Sequence, residues 1–299
     1  MCKSQTNNNF IRFQKLYNYR YRVKRLKLTT YIFAARCKNG VAIISDRLEA
    51  RGQKRDYVDK IERPGGLPVV FAAAGVSFLF KDYIKELSRK VAVNAGLKEF
   101  DIQKWTAAGL KDQNVINNYR YNTHDFIIEC TNLLREFRAL YESSAKEGML
   151  LQVVFSVPET IGDINRPRLF YADLIKCEPI PIDNQCHAIG QANLASEFKD
   201  KWKDDMTMAE TVKLATFIIK YIEKSGLSKD EYGIDTVGIG NSMPQVYFFV
   251  DNETQPKAIE GEELRKMISG VDAELEKAMK FDKDYENYLE EFPTLWALK

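Results

Sequence analysis

Histidine is nearly absent from this sequence, and its cysteines form no pairs. The chain of 299 residues has two histidines and five cysteines. Neither His124 nor His187 has a second metal ligand at a useful spacing. Cys2, Cys37, Cys130, Cys177 and Cys186 contain no Cys-x-x-Cys. These gaps argue against a structural zinc site and a disulfide framework. They also remove the usual route to a Ser/His/Asp or Cys/His hydrolase, in which a histidine serves as base. Long apolar runs are missing too. The longest, Leu67–Val76 and Met149–Val157, are about ten residues, against the ~20 needed to span a bilayer. No apolar export segment opens the chain, so the expectation is a cytoplasmic protein without a membrane partner.

What remains is ordinary globular composition, 45% hydrophobic and 29% charged, with nothing that suggests disorder or repeats. The net charge of +2 hides an asymmetry. Residues 1–28 carry eight Lys and Arg and no acid, leaving 36 bases against 42 acids in the rest. The basic tail has no helical stripe, and it reads as an extension or propeptide over residues 1–29. A basic tail with aromatics could bind nucleic acid, but that reading rests on these residues alone and ranks last.

Patterning beyond the tail predicts strands and helices in separate groups. Two apolar, β-rich runs flank Lys38-Asn39-Gly40, a hairpin signal. The second run, Val41–Ser45, is nearly all apolar, as in a strand covered on both faces. A third strand is expected over Tyr57–Glu62 and a fourth over Val69–Ala74. Helical spacing follows over Phe78–Val93 and Phe126–Tyr141, with a polar insertion near Leu97–Asn122 between them. A second β block covers Met149–Val157 and Leu169–Leu174. Gly190 then turns into a helix near Leu194–Trp202, and Met208–Ile222 is a strongly amphipathic helix. Short strands follow at Val237–Ile239 and Val246–Val250, then a charged helix over Ile259–Met279 and an acidic aromatic tail. Grouped strands and paired helices argue against an alternating parallel sheet. The expected class is α+β: a four-layer αββα sandwich, with two antiparallel sheets between helix layers.

Four chemically useful residues lie near the start of the body. Thr30 begins the first strand, Asp46 ends the second, Lys60 sits on the third, and Gly75 closes an apolar strand before a helix. A hairpin of two similar strands returns Asp46 to the neighbourhood of Thr30. Singly, each residue is commonplace, and only their joint arrangement is informative.

The stretches TYIFAARCKNGVAIISDR, DKIE and VVFAAAG resemble the opening of proteasome-type subunits, the threonine members of the N-terminal-nucleophile hydrolases. Thr30, Gly40, Asp46, Lys60 and Gly75 fill that family's places in order. The Thr-Tyr start resembles stand-alone prokaryotic relatives more than ring-forming β subunits. The resemblance spans Thr30 to about Val250 and is specific over its first 46 residues. It implies a domain over residues 30–255, a C-terminal helical extension over residues 256–299, and a homo-oligomer acting on peptide or protein substrates. It also implies that Thr30 Oγ attacks an amide carbonyl while the freed α-amine of Thr30 takes the proton. Lys60 would supply positive charge, Asp46 would fix Lys60, and the Gly75 N–H would face the oxyanion.

Thr29 precedes Thr30 where family precursors carry glycine. Gly190-Gln191-Ala192 stands where the family has Gly-Ser-Gly, Tyr232-Gly233 stands where Ser-Gly is expected, and Asp230 approximates a supporting aspartate. A non-catalytic α-type structural or assembly subunit is the alternative, because such subunits keep an N-terminal extension. They start Tyr-Asp, however, and have no use for the Asp46 and Lys60 pair.

Overall fold

The computed structural model describes residues 30–51, 54–63, 68–75, 77–94, 123–141, 151–161, 164–190, 196–224, 243–253 and 255–280. The basic extension over 1–29, the insertion near 97–122, Gln191, Ala192, Asp230, Tyr232, Gly233 and the strand expected at 237–239 lie outside these residues.

The first strand, β1 (Tyr31–Cys37), turns through Lys38 and Asn39 into β2 (Gly40–Ser45). Cys37 pairs with Gly40 and Ile32 with Ser45. Gly40 is therefore a strand residue and not part of the loop. Its glycine is required by close approach: a Cβ there would lie 2.3 Å from the Phe249 carbonyl oxygen.

The strand expected over Tyr57–Glu62 is divided. β3 (Leu48–Arg51) and β4 (Lys54–Tyr57) form a separate hairpin, and β5 (Ile61–Glu62) follows it. Each strand of that hairpin is four residues long, too short for apolar periodicity to mark. β6 (Val70–Gly75) leads to α1 (Ser77–Asn94) and α2 (Thr123–Leu140). The second β block is β7 (Leu151–Ile161), β8 (Ile164–Asp173), β9 (Ile180–Pro181) and β10 (Cys186–Gly190). Then come α3 (Ser196–Lys199), α4 (Met208–Lys224), β11 (Gln245–Val250) and β12 (Lys257–Ile259). The single helix expected over 259–279 is two, α5 (Gly261–Met267) and α6 (Val271–Lys280), separated at Gly270 with φ +86°. Gly270 immediately precedes α6, and its carbonyl accepts the Glu274 N–H at 3.1 Å.

The class is α+β with two antiparallel five-stranded sheets, in the orders β10-β1-β2-β11-β12 and β5-β6-β7-β8-β9. Strand alternation sends side chains to opposite faces and creates three apolar clusters. Ile32, Ala34, Val41 and Ile43 meet Val70, Ala72, Ala74, Val154 and Leu169 between the sheets. Tyr31, Phe33, Ala35 and Ile44, on the other face of the first sheet, pack on Phe217, Ile218 and Ile222 of α4. Leu264 of α5 and Val271 and Leu275 of α6 join that cluster, so residues just beyond β12 share the core of the first sheet. Phe71, Val153 and Phe155 of the second sheet pack on Tyr83 and Leu87 of α1 and on Phe126 and Leu133 of α2. No helix among the described residues is long and apolar enough to cross a membrane.

Phe71 stacks on Phe155 with ring centroids 4.8 Å apart and touches Tyr83 and Phe126. Phe71→Ala should cost about 3–5 kcal/mol of unfolding free energy, as buried Phe truncations do. Urea denaturation checks this.

Candidate active site

The β1–β2 hairpin places the first two candidates. Register runs from Cys37–Gly40 to Ile32–Ser45, so the next residues outward, Tyr31 and Asp46, stand opposite each other. The Asp46 N–H donates to the Tyr31 carbonyl at 3.2 Å, and the Tyr31 N–H donates to Asp46 Oδ1 at 2.8 Å. Tyr31, the residue after Thr30, is thus held through both the backbone and the side chain of Asp46. Thr30 itself is 5% exposed and Asp46 is fully buried.

Lys60 arrives from the other sheet, one residue before β5. Its Nζ donates to Asp46 Oδ2 at 2.6 Å, and its side chain is 6% exposed. The two carboxylate oxygens of Asp46 therefore serve different partners, the Tyr31 amide and the Lys60 ammonium. The hydrogen bonds convert a buried charge pair from a liability into a tolerable one.

Gly75 ends β6 opposite Leu151, with φ +129°. Gly190, the last residue of β10, connects that end of the sheet to Thr30. It pairs with Tyr31 and has φ +83°. A Cβ at 190 would sit 1.9 Å from the Thr30 carbonyl oxygen and 3.2 Å from the Ala74 Cβ. Glycine is needed here on both counts: the backbone is left-handed and the Thr30 carbonyl occupies the space. The structure thus joins Asp46 and Lys60 to Tyr31, the residue after Thr30, through hydrogen bonds, and it brings the residue before Gly75 against Gly190 at the Thr30 carbonyl.

Two glutamines that pattern reading passes over support this assembly. Gln152 on β7 is 7% exposed and Gln245 on β11 is 5% exposed. The Gly190 N–H donates to Gln152 Oε1 at 3.0 Å, and Gln152 Nε2 donates to the Tyr171 hydroxyl at 3.3 Å. Tyr171 in turn donates to Asp173 Oδ2 at 2.9 Å. Burial pushes the Tyr171 phenol up to about 12, with the Gln152 bond opposing and Asp173 reinforcing. The His187 ring lies 4.5 Å from the Tyr171 ring, centroid to centroid. Burial, helped by the Lys199 charge, lowers the His187 pKa to about 4, so its imidazole is neutral at physiological pH. The signal that could have found the glutamines is a lone amide within an apolar β run, in LLQVVF and PQVYFF. No group of three or more His, Cys, Asp or Glu able to hold a metal ion occurs among the described residues.

No family model and no curated protein matches the sequence. Solved structures do match. One is Anbu from Hyphomicrobium sp. strain MC1, with TM-score 0.55 at 15% identity over 85% of this chain and 98% of that one. The Gly-1 mutant of Anbu from the same strain gives 0.56 at 14%, over 85% and 98%. Anbu from Yersinia bercovieri, described as an ancestral beta-subunit, gives 0.56 at 15%, over 84% and 97%. The chain has the fold of these structures. They correct the family expected from the sequence: the similarity is to Anbu, and not to the proteasome-type threonine hydrolases and their stand-alone prokaryotic relatives. The sequence motifs cover a hairpin and the two strands after it, too little of the chain to separate families built on one fold.

Lys60→Met should destabilise the protein by about 3–5 kcal/mol, because the Asp46 charge loses its buried partner. Adding Asp46→Leu should recover part of that loss, a coupling that a double-mutant cycle in urea reads directly. His187 makes a separate prediction. Its folded pKa is depressed from 6.5 to about 4, so the unfolded chain takes up the proton first as pH falls. Stability should therefore decline between pH 6.5 and about 4, and His187→Gln should flatten that part of the unfolding profile.

Proposed function

We propose that this protein is a threonine-type amide-bond hydrolase in which Thr30, once it is the first residue, is the nucleophile. The observation that carries the proposal is the buried Lys60–Asp46 pair, hydrogen-bonded to the amide that follows Thr30. Thr30 Oγ attacks the scissile carbonyl and its own α-amine takes the proton. An α-amine has an ordinary pKa of about 7.7–8.0, suited to a general base near neutral pH. The Lys60 charge favours the neutral amine and the developing alkoxide, and Asp46 holds Lys60 in place. The Gly75 N–H is assigned to the oxyanion, a contribution of about 3–4 kcal/mol in comparable sites. No cofactor takes part.

Supporting the reading are the described geometry and the shared fold, one of whose representatives is described as an ancestral beta-subunit. The three apolar clusters are read as the seams of a four-layer αββα sandwich. Residues 1–29 are assigned to an extension removed before activity. The proposed substrates are peptides or proteins, and the proposed assembly is a homo-oligomer in the cytoplasm.

Chemistry requires the bond between Thr29 and Thr30 to be cut, or translation to begin at a later start, because an amide nitrogen is no base. Intact mass and N-terminal sequencing of the purified full chain should show a species beginning at Thr30, and that species should cleave fluorogenic peptides. Thr30→Ala should lower kcat/KM by a factor of about 10³ or more while leaving the unfolding midpoint close to wild type. A stable full-length chain without peptidase activity would favour the alternative, a non-catalytic structural or assembly subunit.

A further inference from the structure

β5 is an edge strand: in its sheet it has β6 on one side only. The Ala73 N–H of β6 donates to the Lys60 carbonyl at 3.2 Å. The other edge is met by a side chain from the opposite sheet. Gln245 Oε1 accepts the Lys60 N–H and the Ile61 N–H, each at 2.9 Å, and Gln245 Nε2 donates to the Ile61 carbonyl at 2.9 Å. A primary amide thus stands where a neighbouring strand's peptide group would stand. It comes from β11, where Gln245 pairs with Ser45, the residue before Asp46. The amide therefore spans the gap between the chain segments that carry the two members of the ion pair.

Position 245 begins the run QVYFFV, and an apolar residue there would continue it at no desolvation cost. It would also strand three backbone groups at residues 60 and 61 in a buried setting, each carrying the penalty of an unmade hydrogen bond. The amide matters for Lys60 because a lysine ammonium rides on a flexible four-carbon stem. Its head meets Asp46 at a fixed point only if its Cα is fixed, and β5 is two residues long. The Lys60 backbone is held by Ala73 from one side and by Gln245 from the other.

We propose that Gln245 is a positioning residue for the Lys60–Asp46 pair: its three hydrogen bonds to residues 60 and 61 set where the ammonium meets the carboxylate, and through Asp46 they fix the Tyr31 amide beside Thr30. The assignment of a catalytic purpose to that pair rests on the proposed hydrolase function, but the positioning itself does not.

Amide hydrogen exchange on the full-length chain, followed by NMR, separates the two. In Gln245→Asn the amide is withdrawn by one methylene. Exchange of the Lys60 and Ile61 amides should accelerate by more than about tenfold, and the Tyr31 amide, which Gln245 does not touch, should accelerate with them relative to Val153 in the second sheet. In Gln245→Glu, burial and the facing Ile61 carbonyl favour the protonated carboxyl, whose O–H replaces the Nε2 donor and keeps all three bonds, so all three amides should stay within about threefold of wild type. A Tyr31 amide unchanged in Gln245→Asn while Lys60 and Ile61 are freed confines Gln245 to local edge-filling and overturns the proposal. If the shorter side chain does not fold, Gln245→Glu decides: a Tyr31 amide freed while Lys60 and Ile61 stay protected overturns it equally. In protein beginning at Thr30, Gln245→Asn should lower kcat about tenfold with KM unchanged. Wild-type protein that shows the exchange pattern but cleaves no peptide would remove the hydrolase reading and leave the positioning role standing.

Discussion

Everything distinctive about this molecule is arranged around one buried ion pair. Removing an ammonium and a carboxylate from water costs several kcal/mol per ion, and mutual attraction repays that only with good geometry and further hydrogen bonds. Asp46 is fully buried and Lys60 nearly so, and the surroundings supply what the pair requires. One carboxylate oxygen takes the ammonium and the other takes the Tyr31 amide. The backbone of Lys60 is bound by a strand on one side and a glutamine on the other. Apolar residues of similar size would pack the same space at lower cost, so the pair is poor economy for stability alone. Under the proposed hydrolase function, its position near Thr30 gives it a chemical reason to exist.

The two sheets must approach closely for this to work, and small residues permit it. Ala34, Ala72 and Ala74 lie in the cluster between the sheets. At the edge, Gly190 lies against the Thr30 carbonyl, with Ala74 as its other neighbour. Larger side chains at these positions would hold the end of β6 away from the start of β1. The glutamines then close the remaining polar gaps: Gln152 meets the Gly190 amide from β7, and Gln245 meets β5 from β11. Both reach between chain segments that no backbone ladder connects.

The sequence was legible where periodicity and spacing agreed. α1 and α2 fall close to their expected limits because one apolar stripe dictates each, and the hairpin register that returns Asp46 to Tyr31 follows from the lengths of two apolar runs. Boundaries set by other forces were not legible. The strands of the β3–β4 hairpin are only four residues each, too short for a period to show, and the break at Gly270 depends on backbone conformation inside a stripe that continues through it. Gly40 looked like a turn residue, whereas its constraint is the Phe249 carbonyl on a strand far away in sequence. Gln152 and Gln245 are not legible because the backbone groups they hold, at Gly190 and at Lys60 and Ile61, lie more than thirty residues away. The family expectation went astray for a related reason: a short motif reports local geometry, and local geometry is shared across a fold.

The anchors at Thr30 also bear on how an internal residue could become a nucleophile. Those described all lie on its carboxyl side: its carbonyl packs on Gly190, and the following amide is held by Asp46. They do not depend on the bond that precedes Thr30. Cutting that bond would exchange a non-basic amide for an amine beside a fixed ammonium, while the restraints on the carbonyl side of Thr30 stayed as they are. On the carboxyl side of Thr30, the contacts that the proposed mechanism requires are therefore present in the uncut chain, and opening it would alter the electronic character of one nitrogen more than those contacts.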